Sequence, residues 1–139
     1  MRSFRWRLRL KAPIEEAFAA LATDAGRERF WAERSREADG RIAFDFPNGV
    51  TEIAEIMDCS APRRFALRYF GAETAFALVA RDGGTDLELT VRDQPDSNFH
   101  DAYAGWVSVL MNLKSVLDHG TDLRNHEAAA SWDRFYVEN

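Results

Sequence analysis

Between Arg2 and Lys11 apolar and charged residues alternate, so that Phe4, Trp6, Leu8 and Leu10 fall on one side of an extended chain and most of the bases Arg2, Arg5, Arg7, Arg9 and Lys11 on the other. A period of two over this length predicts a half-buried strand with a solvated basic face. Ala12-Pro13 ends it, and Pro13 with Glu15 and Glu16 supplies the fixed φ and the negative charge that suit a first helical turn. Ile14, Ala17, Phe18 and Leu21 form the buried side of that helix. Thr23-Asp24 offers a second N-cap, which predicts a short second helix running to about Trp31.

From about Glu33 the pattern changes. Gly40, Pro47-Asn48-Gly49, Ala61-Pro62, Gly71 and Asp82-Gly83-Gly84 punctuate short runs rich in Phe, Ile, Val, Thr and Tyr, and such spacing predicts a meander of antiparallel strands. Ile42, Phe44 and Phe46 alternate with smaller or polar residues, as do Phe65, Leu67 and Tyr69, so each run has one apolar face. Residues 74–81 are apolar on both faces, which predicts a strand covered on each side or packed on another subunit. Leu87, Leu89 and Val91 mark the last strand, with Gly83-Gly84 closing the hairpin before it.

After Gln94-Pro95, residues 97–119 carry Phe99, Tyr103, Trp106, Leu110, Leu113 and Leu117 at steps of four and three. This is a long amphipathic helix, about 30 Å at 1.5 Å per residue, with Gly120 as its C-terminal stop. The tail, residues 121–139, keeps Leu123, Trp132, Phe135, Tyr136 and Val137, which implies that it docks on the domain. The order of elements is α+β, a single domain over 1–139, with a curved antiparallel sheet of six or seven strands wrapped on the last helix.

The run from Gly105-Trp106 through Leu110-Met111-Asn112-Leu113-Lys114 resembles the helix signature, GW followed by LxNLK, of the START-like superfamily called SRPBCC. Within it the match is to the family of activators of the 90 kDa heat shock protein ATPase. Ala12-Pro13 with Glu16-Ala17-Phe18, Phe30-Trp31, Gly84-Thr85-Asp86-Leu87 and the tail Asp122-Leu123-Arg124-Asn125-His126 with Trp132-Asp133 are similar to the same family, so the resemblance covers most of the chain. It implies a helix-grip fold of the START-like and Bet v-like kind, with a cavity between helix and sheet. The chain departs from the pattern at Asp39-Gly40-Arg41, where the family usually has a double glycine. A chaperone partner is implied by analogy alone.

Composition narrows the function. The chain has 139 residues with a net charge of −5, acids and bases interspersed after the first strand, and so no field that would attract nucleic acid. One cysteine, Cys59, forbids an intramolecular disulfide or a thiolate metal cluster, and neither an 18-residue apolar run nor a signal peptide is visible. A cytoplasmic protein without membrane insertion is expected. His100, His119 and His126 lack metal-site spacing, and His119 suits the carbonyl end of its helix. The serines have no nucleophile-elbow context, so no catalytic residue, metal or cofactor is expected.

What stands out is aromatic content. Trp31, Phe44, Phe46, Phe65, Tyr69, Phe76, Phe99, Tyr103, Trp106, Leu110 and Leu113 are the candidate ligand-contacting residues, facing one another across helix and sheet. Tyr69, Tyr103 and the Trp106 indole bring polar handles to a planar or lipid-like hydrophobic ligand, and Glu33, Arg68 and Asp101 are candidate rim charges. Arg68 alternates with Ala66 and Phe70, which points it outward. Binding of a hydrophobic small molecule is the leading expectation. A cyclase or isomerase moving a proton through Tyr103, His100 or Asp101, and a regulatory homodimer joined through residues 75–80 and the tail aromatics, are the alternatives.

Overall fold

In the computed structural model, which describes residues 1–139, the alternating N-terminal segment is β1 (Arg2–Leu10). Two short helices follow, α1 (Ile14–Ala22) and α2 (Asp24–Phe30), and Thr23 caps the second by accepting from the Gly26 N–H at 3.0 Å. Then come β2 (Arg34–Ala38), β3 (Arg41–Asp45), β4 (Thr51–Ser60), β5 (Arg64–Tyr69), β6 (Ala72–Arg81) and β7 (Gly84–Gln94). A 3-10 turn over Asp96–Asn98 leads into α3 (Phe99–His119), which Gly120 ends in the left-handed conformation at φ 69°.

The strands form one antiparallel sheet in the order β1-β7-β6-β5-β4-β3-β2. Only the helix pair α1–α2 crosses, carrying the chain from one edge strand to the other. Three hairpins turn on two residues, Asp39-Gly40, Phe70-Gly71 and Asp82-Gly83, each with positive φ at both positions. That geometry matches the twist of the flanking strands and favours a glycine second. The last turn is thus one residue earlier than the glycine pair implied, and Gly84 opens β7.

The inner face of the sheet holds Leu10, Ile42, Phe44, Phe65, Phe76, Leu78 and Leu89, all buried, against Leu21 and Phe30 of the short helices and Leu110 and Leu113 of α3. Side chains cover part of both sheet edges. At β1, the Lys114 ammonium donates to the Arg9 carbonyl while Asp118 accepts from the N–H groups of Lys11 at 3.0 Å and Ala12 at 3.3 Å. At β2, Glu28 and Asp24 accept from the N–H groups of Ser35 at 3.0 Å and Glu37 at 3.2 Å. Edge pairing with another chain is thereby discouraged.

Arg27, in a helix that reads as polar, is completely buried. It donates to the Leu21 carbonyl, the Ser35 hydroxyl and the carboxylates of Asp24 and Glu37, at 2.8 to 3.1 Å, and so pins the helix corner to β2. The outer face of β6 is uncovered: Ala77 and Val79 are exposed, the latter by 62%. No helix is long and apolar enough to cross a membrane. A curved sheet holding one long helix is the helix-grip arrangement.

Candidate ligand cavity

The inward positions of β1, β5 and α3 carry large flat rings. Where they interlock, a solid core results. Trp31, at the end of α2, is the hub, with ring centroids 4.6 Å from Phe44, 5.4 Å from Tyr69 and Trp106, and 5.9 Å from Phe76, most of them tilted or edge to face. Alongside the N-terminal half of α3 lies a cavity of about 940 Å³, whose lining is mostly hydrophobic.

Its walls come from Trp6 on β1, Trp31, Tyr69 and Phe70 at the β5–β6 turn, Trp106 on α3 and Trp132 in the tail. The polar handles are few. The Trp31 indole N–H donates to the Tyr69 hydroxyl at 3.2 Å, and the Trp6 indole to the Tyr103 carbonyl at 3.3 Å. At the α3 end, Gln94 donates to Asn98 at 2.7 Å. Burial pushes the Tyr69 phenol well above its ordinary range, against the Trp31 bond that favours the phenolate, so it stays a neutral donor and acceptor.

The tail supplies the remaining wall, and a polar clip holds it. Asn112, buried on α3, donates to the Phe30 carbonyl and to Asp122, both at 3.0 Å, and accepts from the Leu123 N–H at 2.8 Å. Arg124 reaches the carbonyls of Ala32 at 2.9 Å and Glu28 at 2.7 Å. His126 bridges Glu33 through Nδ1 at 2.6 Å and Asp122 through Nε2 at 2.7 Å. Beyond the clip, Asn48 donates to Asp133 at 3.4 Å, and the Trp132 ring lies against Gly105. A side chain much larger than a methyl group at 105 would stand between helix and indole.

Burial of the His126 ring disfavours its cation, but the bonds to Asp122 and Glu33 outweigh this and hold its pKa above the ordinary 6.5. Burial likewise opposes ionisation of Asp122, and the bonds from Arg124, Asn112 and His126 prevail, holding its carboxyl well below the usual range. Glu33 and Asp122 bond opposite ring nitrogens and do not converge on a common point; no trio of His, Cys, Asp and Glu side chains is placed to hold a metal ion.

Of the eleven residues singled out from the sequence, Trp31, Phe46, Tyr69, Tyr103 and Trp106 line the cavity. Phe44, Phe65, Phe76, Leu110 and Leu113 do not; they are the packed core beneath it. Phe99 belongs to a separate ring cluster with Phe4 and Tyr103, under the Arg2 guanidinium. Among the rim charges, Asp101 lines the cavity, Glu33 is taken by His126, and Arg68 points outward to Glu73 at 3.5 Å. His100 is exposed and outside the lining, so of the three candidate proton carriers only Tyr103 and Asp101 border the cavity. Sequence reasoning passed over Trp6, Phe70, Gln94 and Trp132; the alternation of β1 already put Trp6 on the inner face, whereas nothing local marks Trp132.

No protein-family model matches this chain, and no curated protein matches it. Solved structures do. The solution structure of the Aha1 dimer from Colwellia psychrerythraea is 23% identical, with a TM-score of 0.77 over 87% of this chain and 99% of that one. The AHSA1-like protein from Aeromonas hydrophila is 20% identical, TM-score 0.72, over 85% and 96% of the two chains. CalU16 from Micromonospora echinospora is 24% identical, TM-score 0.67, over 82% and 73%. At these identities the likeness is one of architecture: the chain has the helix-grip fold seen in the solved Aha1 and AHSA1-like structures.

Proposed function

We propose that the protein is a binding module that holds a flat hydrophobic small molecule between α3, the sheet and the tail, without breaking a bond. The observation that carries this reading is the aromatic cavity of about 940 Å³ around Trp106, a size and lining typical of ligand sites. Its polar groups suit recognition. Tyr69 is held neutral by burial, and Trp31 fixes its hydroxyl, so the pair orients a ligand more readily than it moves a proton.

Native mass spectrometry of protein purified without detergent tests it. A retained small molecule, lost in Trp132→Ala and in Trp106→Ala, supports the reading; apo protein whose melting temperature no hydrophobic compound raises refutes it. Trp132 is half-buried in the tail, so its loss leaves the core intact.

A second reading has its own support. The Colwellia Aha1 is described as a dimer, and the outer face of β6 exposes Ala77 and Val79. An isologous pair through this face would give a solution mass near twice 15.8 kDa.

A further inference from the structure

The charged groups on the cavity wall are unequally engaged. Arg124 is committed to the carbonyls of Ala32 and Glu28 and to Asp122, with its Nε 3.0 Å from the Asp122 carboxylate. Asp101, in the first turn of α3, and Glu138, in the tail, also line the cavity, are exposed, and make no hydrogen bond or ion pair. Unbonded neutral acceptors stand on the same wall. Gln94, 2% exposed, uses its amide N–H on Asn98 and leaves Oε1 without a partner, and Oδ1 of Asn139 is buried with none.

The N-terminal end of the α3 dipole opposes this balance, at about half a positive charge. Asp101 alone outweighs it, and Glu138 adds to the excess. The wall therefore carries negative charge without a free cation, around ring faces that themselves attract cations.

We infer that the ligand is a cationic aromatic amine: a flat ring system against Trp106 and Trp132, with a protonated amino group directed to Asp101 and Glu138. Fatty acids and other anionic amphiphiles are disfavoured by the same charges. The inference rests on the cavity being a small-molecule site and adds the charge of its occupant.

Three probes share one ring system and differ in charge: aminomethylanthracene, anthracenemethanol and anthracenecarboxylate. Their affinities for the full chain at neutral pH, measured by calorimetry or tryptophan quenching, separate ring binding from charge recognition. The ammonium is expected to bind about tenfold more tightly than the carboxylate, with the alcohol between, because each exposed ion pair contributes only modestly. The gap should close in the double variant Asp101→Asn, Glu138→Gln and in about 1 M salt. Both side chains are exposed and unbonded, so the variant keeps its fold, which its melting temperature checks.

Equal binding of the three probes, or tighter binding of the carboxylate, overturns the cationic ligand while leaving the cavity reading standing. A preference that persists in the double variant overturns the assignment to Asp101 and Glu138. If no probe binds, the cavity reading itself fails and this inference falls with it.

Discussion

The Trp132 indole lies against Gly105 of α3, with its Cζ2 atom 3.6 Å from where a Cβ would stand. That is ordinary van der Waals distance, so one methyl group fits, while glycine inside a helix costs about 1 kcal/mol relative to alanine. Gly105→Ala is therefore expected to stabilise the protein by about 0.5–1 kcal/mol, raising the melting temperature by roughly 2–4 °C. Gly105→Leu overfills the gap and should lift the indole, seen as faster amide exchange through the tail with the core amides unchanged. A melting temperature lowered by alanine would mean that the tail is seated too tightly to give way.

The clip at His126 makes tail docking depend on pH. Its folded pKa is raised above 6.5, so the protonated ring is the form that the fold stabilises. Its contribution is complete below the ordinary imidazole range and is lost as pH rises through the raised folded value. Exchange of the tail amides, corrected for intrinsic rates, should accelerate relative to β7 amides as the pH rises from below the ordinary imidazole value through the raised folded one. In His126→Gln the tail should be looser at the acid end and show no such step. Glu33, Asp122 and Arg124 are the charged groups that face the ring, and His126→Gln separates the ring's own step from theirs.

How far the sequence revealed this follows from what periodicity measures. Alternation in β1, β3 and β5 and the stripe along α3 identified the buried faces because each element has one apolar side. Faces carry no depth. Phe65 and Tyr69 are both inward on β5, yet one is sealed in the core and the other lines the cavity, a distinction made by neighbouring rings from α1 and α2. The LxNLK motif, by contrast, acquires a physical meaning: Leu110 and Leu113 are core, Asn112 holds Phe30 and the tail, and Lys114 blocks the β1 edge. Trp132 was illegible as a wall because its place depends on Arg124 meeting Ala32 and Glu28, residues far away along the chain. Arg27 escaped notice since a polar helix ordinarily reads as solvated.

Phe70 separates stability from the cavity. It occupies the left-handed region at φ 46° in the β5–β6 turn, where a bulky residue is strained by about 1 kcal/mol. Its ring packs on Phe46 and Tyr69 but stays 39% exposed, so losing it costs a similar amount, about 1 kcal/mol. Phe70→Asn, which tolerates this conformation, should leave unfolding free energy within about 0.5 kcal/mol of the parent in denaturant titrations. Affinity for an aromatic ligand should fall, since one wall is gone. Large destabilisation would show that the ring holds the turn instead of straining it.

Asp118 offers the sharpest test of the blocked sheet edge. Its carboxylate is fully enclosed, both oxygens lie 3.0 Å from the Lys11 N–H, and Lys114 stands at 3.1 Å. Burial works against ionisation here, yet the bonds from Lys11, Lys114 and Ala12 win and lower the pKa below the ordinary 3.8. A depressed folded pKa means stability present above the unfolded value and lost as pH falls through the folded one. Asp118→Asn keeps the size but sets an NH₂ against donors, and should cost about 2–3 kcal/mol at neutral pH. Its disadvantage should shrink as the parent is acidified below about pH 4, because the parent then loses the same interaction. Parallel stability curves for the two proteins down to about pH 2 would show that the carboxylate does not anchor α3 to β1 through its charge.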